Sequence, residues 1–122
     1  MTRILVIDDD AQIREVLKQS LERVGYETLV AADGKAALKL NHATPVDLII
    51  TDIIMPEMEG LETIMEFRRC FPSVRVIAIS GGGRIGPFEY LKLAEMLGAQ
   101  KTIEKPFELR ELVRSIQDLQ AT

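Results

Sequence analysis

Residues 3–8 read Arg-Ile-Leu-Val-Ile-Asp, a run of four apolar residues that ends in an acid. A continuous apolar run of this kind, without polar alternation, is typical of a strand that is buried on both faces. Such strands belong to parallel sheets that carry helices on either side. The stretch therefore predicts a strand of an α/β fold, with acidic residues at its carboxyl end.

Outward from this stretch, strand-like and helix-like patterns alternate along the chain. The further strands are predicted at residues 27–31, 46–51, 74–79 and 100–103. The helices are predicted at about 11–24, 35–41 and 59–70, from Pro87 to a stop at Gly98, and from Pro106 onward. Asp10 is the expected N-cap of the first helix and Gly25 its C-terminal stop. Five strands alternating with five helices predict right-handed crossovers and a doubly wound parallel sheet, in one domain over residues 1–122.

Composition narrows the class of protein. The chain has 122 residues, of which 47% are hydrophobic and 28% charged, as in an ordinary globular domain with a real core. A net charge of −4 argues against direct nucleic-acid binding. The sequence lacks a membrane-length apolar run and a secretion signal, and its single cysteine suits a reducing compartment. We therefore expect a cytoplasmic domain that contacts neither nucleic acid nor membrane.

Five polar residues come just past the ends of predicted strands, namely Asp8, Asp9, Asp52, Ser80 and Lys105. Strand ends of a parallel sheet converge at one edge, which is the usual ligand crevice. The carboxylates suit a hard divalent cation such as Mg²⁺, while the lysine and the hydroxyl suit phosphoryl oxygens. One of the carboxylates can attack phosphorus as a nucleophile. The set predicts a metal-dependent site that accepts a phosphoryl group.

Four segments, in order, give the chain a resemblance to a known family. They are VIDDD at residues 6–10, DLIITDIIMPEMEG at residues 47–60, Ser80, and EKPF at residues 104–107. Over essentially its whole length the chain resembles the receiver domain of response regulators in two-component signalling. The resemblance implies a flavodoxin-like, five-stranded parallel sheet in the order 2-1-3-4-5.

The resemblance also implies a role for each matching residue. Asp52 matches the phosphoaccepting aspartate. Asp9 matches the acid that binds Mg²⁺ directly, and Asp8 the acid that binds it largely through water. The backbone carbonyl of Ile54 matches the third protein ligand, and Mn²⁺ is an alternative metal. The implied phosphoryl donor is a histidine kinase or a histidine phosphotransfer protein.

The remaining matches concern the phosphoryl group and the walls of the site. Lys105 matches the lysine that pairs with the phosphoryl group, and Ser80 matches the switch hydroxyl. Met55-Pro56 and Gly60 match the loop that shapes one wall. The chain departs from the family in two places. Thr102 stands where the family usually has an aromatic residue, and the Gly81–Gly83 run makes the stretch before Lys105 about three residues longer than is common.

Several residues have ordinary interpretations. The glycine run lacks the spacing of a P-loop, so a flexible loop is favoured over a phosphate cradle. His42 is interpreted as a helix-end residue and Cys70 as a buried or half-buried apolar residue. Met55 and Met58 are open to two readings, as packing residues or as an adaptable partner surface.

These inferences favour a signalling switch that is not an enzyme. Its expected partners are the phosphodonor, a downstream protein or an output domain absent from these residues, and a phosphorylation-dependent second copy. Contacts are expected on the face of helix four, strand five and helix five, whose exposed side carries Tyr90, Lys92, Glu95, Lys101 and Glu104. One alternative is an interaction module that works without phosphorylation. A Mg²⁺-dependent phosphohydrolase is disfavoured because Ile54 stands where a second aspartate would be needed, and an FMN carrier is disfavoured by the acidic crevice.

Overall fold

The computed structural model describes residues 2–53, 59–80 and 87–121, with the backbone alone at 59 and 87–91. Five strands and five helices alternate along it. The strands are β1 (Arg3–Ile7), β2 (Glu27–Ala31), β3 (Leu48–Asp52), β4 (Arg75–Ser80) and β5 (Lys101–Glu104). The helices are α1 (Ala11–Val24), α2 (Gly34–Ala43), α3 (Glu59–Cys70), α4 (Pro87–Leu97) and α5 (Leu109–Gln120).

All five strands are parallel, and they form one sheet in the order β2-β1-β3-β4-β5. β1 pairs on both sides, with Ile4 opposite Thr28 of β2 and Leu48 of β3. The predicted fold class and strand order are therefore confirmed. The parallel arrangement brings the carboxyl ends of β1, β3, β4 and β5 to one edge of the sheet.

Two apolar layers cover the sheet, and β1 contributes to both. Leu5 and Ile7 pack with residues of α2, α3 and α4, including Phe67. Ile4 and Val6 point to the other face and pack with residues of α1 and α5. This alternation explains why the run at residues 4–7 has no polar position, because each side chain enters one of the two layers.

The helix ends follow the predicted signals. The Asp10 side chain accepts hydrogen bonds from Gln12 N and Ile13 N at the start of α1, and Gly25 ends that helix with φ of 108°. Gly98, which ends α4, has φ of 117°. A positive φ costs least at glycine, so both stops are set by sequence.

Several predicted boundaries differ from the structure. β3 begins at Leu48, not Val46, since the Val46 N–H donates to the buried side chain of Asn41 (2.8 Å) and not to a neighbouring strand. β4 and β5 each lie one residue later than predicted, and α2 is longer at both ends. α5 begins at Leu109, not at Pro106, because Glu108 is extended and occupies the N-cap position.

Some apolar side chains on the helices are exposed. The exposed fractions are 61% for Val16, 51% for Met65 and 38% for Leu109. The interpretation of Cys70 as buried or half-buried is wrong, since Cys70 is exposed. It lies in the last turn of α3, where its sulfur is 3.9 Å from Glu66 Oε2. Across the described segments, every helix is too short or too polar to cross a membrane.

Candidate functional site

Three carboxylates meet where β1 and β3 end side by side. Asp8 directly follows β1 and Asp52 is the last residue of β3, while Ile7 and Thr51 are paired in register. One oxygen from each of Asp8, Asp9 and Asp52 lies within 4.8 Å of the other two. Asp8 and Asp52 are buried and Asp9 is exposed. The structure thus brings the three predicted acids together.

Lys105 is the cation of this site. It directly follows β5, and its Nζ lies 3.1 Å from Asp52 Oδ2 and 3.9 Å from Asp8 Oδ2. Its backbone N–H donates to the Ser80 carbonyl at 2.8 Å, which extends the pairing of β4 and β5 by one residue. The ammonium therefore faces the acids while its main chain is fixed to the sheet.

Ser80 is the last residue of β4, and its side chain is fully buried. Within the described segments its Oγ has no hydrogen-bond partner. A buried hydroxyl without a partner is unfavourable. Ser80 is thus a polar group at the edge of the sheet whose hydrogen-bonding capacity is unused by those residues.

Burial and like charge act together on Asp8. The pKa of this carboxyl is raised from its ordinary 3.8 to about 6, chiefly by burial and also by the carboxylates of Asp52 and Asp9. The Asp10 backbone N–H and the Lys105 ammonium oppose the rise. A cluster of acids that makes ionisation this costly suits a divalent cation bound through oxygen.

A comparison with family models places the chain in one class of protein. The model described as "Response regulator receiver domain" matches residues 4–117. The chain belongs to the response regulator receiver domain family. It is thus a receiver of the kind found in two-component systems, and its acidic cluster is consistent with a Mg²⁺ site.

Named relatives differ in how much of their length this receiver covers. It is 35% identical over 116 residues to the transcriptional regulatory protein CpxR of Klebsiella pneumoniae, a match covering 95% of this chain and 48% of CpxR. The chain thus spans about half the length of that relative. It is 33% identical to the response regulator receiver protein CpdR of Brucella abortus, covering 98% of this chain and 97% of CpdR.

A solved structure agrees with the family assignment. The crystal structure of the receiver domain of NtrX from Brucella abortus superimposes with a TM-score of 0.86 at 32% identity. The match covers 94% of this receiver and 95% of that chain. The two folds therefore agree over nearly the full length of both chains.

Some predicted positions fall outside the described residues. These are the Ile54 carbonyl, Met55-Pro56, Met58 and the Gly81–Gly83 run, together with the side chain of Tyr90. Thr102, at the position of the family's aromatic residue, is described. Its hydroxyl lies 3.4 Å from Glu95 Oε1, so this position contacts α4 through a polar side chain.

The structure explains two features of the site that the sequence alone did not, namely the glycine at residue 60 and the role of Arg14. A Cβ added to Gly60 would lie 2.3 Å from both the Asp52 carbonyl oxygen and the Ile53 Cα, so α3 packs directly on the backbone that carries Asp52. Arg14, which sequence reasoning missed, donates from Nη1 to the Asp8 carbonyl at 2.8 Å. The only available signal for Arg14 was a basic residue one turn into the helix that follows the acidic run.

Proposed function

We propose that this receiver accepts a phosphoryl group on Asp52 from a histidine kinase or histidine phosphotransfer protein, in a Mg²⁺-dependent reaction. The observation that carries the proposal is the placement of the Lys105 ammonium 3.1 Å from Asp52 Oδ2, beside two further acids. We place the protein in the cytoplasm. Its product is a transient signalling state, so the domain is a switch and not an enzyme of multiple turnover.

In the transfer step, an Asp52 carboxylate oxygen forms a bond to phosphorus. The bond between phosphorus and the donor's imidazole nitrogen breaks, and its electron pair stays on that nitrogen. Asp52 is mostly buried, so few waters compete for its oxygens. Lys105, which pairs with Asp52 before transfer, is positioned to pair with the new phosphoryl oxygens afterwards.

The metal would be held by oxygens of Asp8, Asp9 and Asp52 and, by the resemblance, by the Ile54 carbonyl. When bound, Mg²⁺ offsets the negative charge of the acids and of the transferred group. The donor set fits this ion because it consists of hard oxygen ligands, three of them carboxylates within 4.8 Å of one another. The pKa of Asp8 is raised chiefly by burial and also by Asp52 and Asp9, so ionising this carboxyl without such a cation is unfavourable.

The switch itself would start at Ser80. Its buried hydroxyl, which finds no partner among the described residues, can donate to a phosphoryl oxygen on Asp52. The Ser80 carbonyl accepts from Lys105 N, so a shift at the end of β4 reaches the end of β5 through one hydrogen bond. Two anchors of the phosphoryl group are therefore joined by their main chains.

The acceptor is tested by intact-mass spectrometry with acetyl phosphate and Mg²⁺. Wild type is expected to gain one phosphoryl group, and Asp52→Asn, which lacks the nucleophile, none. Asp118→Asn, which alters an exposed acid on α5, is the matched control and should behave as wild type. Equal incorporation in wild type and Asp52→Asn would place the acceptor elsewhere. Repeated turnover of phosphate esters would favour the phosphohydrolase, and absence of incorporation would favour the phosphorylation-independent module.

The metal assignment is tested by calorimetry with Mg²⁺. Asp9→Asn is expected to weaken binding more than Asp8→Asn, since Asp9 is proposed as the direct ligand. Equal binding by wild type and Asp9→Asn would remove Asp9 from the metal's direct ligands.

Output is proposed to use the face of α4, β5 and α5, toward a downstream protein, an output domain or a second copy of the chain. Lys92, Glu95 and Glu104 are exposed on it, and Lys101 pairs with Asp118 at 3.4 Å. Mixed charge of this kind suits a transient polar contact. Amide exchange with and without beryllofluoride, a phosphoryl mimic, should show added protection from Ser80 into α4. Protection confined to the surroundings of Asp52 and Lys105 would contradict this route, and Lys105→Ala should lose most of the response.

A further inference from the structure

The segment that carries Asp8 and Asp9 is fixed by a set of interlocking hydrogen bonds. Asp10 Oδ1 accepts from Gln12 N at 2.8 Å, which caps α1. The Asp10 N–H donates to Asp8 Oδ1 at 2.9 Å, which orients the Asp8 carboxyl. The Asp8 N–H donates to the Ala31 carbonyl of β2 at 3.2 Å. Side chain and N–H of Asp8 are therefore both restrained.

Arg14 supplies the remaining restraint. It is half-buried on α1, and its guanidinium reaches back six residues to the Asp8 carbonyl, with Nη1 at 2.8 Å. That carbonyl belongs to the planar peptide unit that joins Asp8 to Asp9. Fixing its direction therefore fixes the plane from which the Asp9 side chain projects.

Asp9 depends on this backbone restraint more than its neighbours do. Asp52 pairs with Lys105, and the Asp8 carboxyl accepts from Asp10 N. The exposed Asp9 carboxylate, by contrast, has no hydrogen bond or ion pair to any residue in the described segments. The main chain at the end of β1 therefore fixes where the Asp9 side chain starts relative to the other two acids.

We propose that Arg14 is a positioning residue for the metal, which it serves by holding the Asp8–Asp9 peptide so that the two acids and Asp52 can share one cation. This inference rests on the proposed function, because it concerns the Mg²⁺ site of the same receiver. Arg14 does not touch the metal or the phosphoryl group in this role. It acts as the hydrogen-bonding partners behind metal ligands do, by fixing their orientation.

The sign of the effect separates positioning from charge. Removing a cation from the neighbourhood of an acidic site should, on charge alone, strengthen binding of Mg²⁺. Loss of positioning should weaken it. A merely structural role would lower the stability of the fold while leaving the affinity of the folded protein unchanged.

The experiment compares Arg14→Met with Arg23→Met by calorimetry using Mg²⁺ alone. Both variants make the same chemical change on α1, but Arg23 is in the last turn, roughly 13 Å along the helix. We expect Arg14→Met to raise the Kd for Mg²⁺ roughly tenfold, with Arg23→Met within about twofold of wild type. Arg14→Lys, which keeps a donor, should recover part of the affinity.

Phosphorylation of Asp52 by acetyl phosphate gives a second readout. If Arg14 acts through the metal, the deficit of Arg14→Met should disappear as Mg²⁺ approaches saturation, and a deficit that persists would overturn the proposal. Mg²⁺ binding by Arg14→Met equal to that of Arg23→Met would also overturn it, while leaving the proposed function intact. Failure of wild type to bind Mg²⁺ would refute both. Arg14→Gln, whose shorter side chain cannot reach Asp8, replaces Arg14→Met if that variant does not fold.

Discussion

The carboxyl edge and the amino edge of the sheet differ in how their polar side chains are paired. At the carboxyl edge, Asp8 is buried beside two other acids, with its pKa raised to about 6, and the Ser80 hydroxyl has no partner within the described segments. At the amino edge, several polar groups are paired, although the buried Arg3 Nε makes no hydrogen bond within the described segments and lies 3.1 Å from Glu27 Oε2 as an ion pair. Arg3 N donates to Asp47 Oδ2 at 2.8 Å, and Arg75 Nη1 donates to the Leu119 carbonyl at 3.0 Å.

The contrast extends to the ends of the chain's first strand and last helix. The Gln120 side chain, at the end of α5, bonds to both the Thr2 hydroxyl and the Tyr26 hydroxyl. The amino edge of the sheet thus stabilises the fold. The carboxyl edge holds polar groups that are unfavourable for stability. Functional sites are where proteins tolerate such local conflict, which the rest of the structure must offset.

The largest expected effect is steric and lies at the carboxyl edge. Gly60→Ala places a Cβ 2.3 Å from the Asp52 carbonyl oxygen and from the Ile53 Cα, and neither backbone atom can rotate away. We expect a loss of about 4 kcal/mol in the free energy of unfolding, measured by urea denaturation. Gly25→Ala at the amino edge is the control. Its Cβ meets nothing within 4 Å, so only the φ of 108° is strained and the loss should be about 1 kcal/mol. Similar losses in both would refute the close approach of α3 to β3.

The next effect is electrostatic. The folded pKa of Asp8 lies above its unfolded value, so the folded protein holds that proton more tightly. The resulting stability is present below pH 3.8 and is lost as pH rises through about 6. A shift of about two units corresponds to roughly 3 kcal/mol.

Asp8→Asn removes this loss while keeping an oxygen for the Asp10 N–H. In the presence of EDTA, we expect the variant to become more stable than wild type as pH rises through about 6. Added Mg²⁺ should then stabilise wild type more than the variant. Unfolding curves from pH 4 to 8 that differ by a constant amount would show that Asp8 has an ordinary pKa.

A substitution at the amino edge should lower the free energy of unfolding by less. Arg75→Met removes the hydrogen bond to the Leu119 carbonyl, so a loss of about 1.5 kcal/mol is expected. The guanidinium stays charged from pH 5 to pH 8, so its own titration adds no pH dependence. A loss that changed with pH would link Arg75 to a titrating group and weaken the contrast between the two edges.

The smallest effect is expected at Tyr26. Its hydroxyl donates to Gln120 Oε1 at 3.2 Å on an exposed part of the surface. Tyr26→Phe should therefore lower the free energy of unfolding by only about 0.5 kcal/mol. Mg²⁺ affinity should not change, since the substitution lies at the edge opposite the acids. A change in that affinity would mean that the two edges are coupled.

Much of this architecture follows from short patterns. The apolar run at residues 4–7 requires cover on two faces, which the sheet provides, and Asp8, Asp52 and Lys105 converge because parallel strands share one edge. Both conclusions were reached from sequence, because strand periodicity is a local property and because strands that alternate with helices are expected to be parallel. The order of the strands came from the family resemblance, since no local pattern encodes which strands become neighbours.

Other features depend on contacts between distant residues. Val16 belongs to the apolar pattern of α1, but the width of the covered stripe depends on the neighbouring elements, and Val16 is 61% exposed. The start of β3 was misplaced because the Asn41 side chain takes the Val46 N–H. The raised pKa of Asp8 depends on burial, which the sequence does not specify. Arg14 was missed because its partner, the Asp8 carbonyl, is a main-chain oxygen, and no side-chain pattern in the sequence marks such a contact.

The interior position of β1 also bears on how the protein folds. β1 comes first in sequence, yet it pairs on both sides with strands that come later. Arg3 lies opposite Glu27 of β2, and Ile4 lies opposite Leu48 of β3. β5 is the last strand in sequence and pairs with β4 at one end of the sheet. Because shorter chain closures cost less entropy, we expect β1, β2 and β3 to assemble first. Pulse-labelled amide exchange during refolding should protect Leu5 and Ile50 before Ile103, and the reverse order would contradict this. Asp8, Asp9 and Asp52 would then come together before β5 has formed. Their mutual repulsion would slow the assembly of β1 with β3, because Lys105 would not yet be in place to offset their charge.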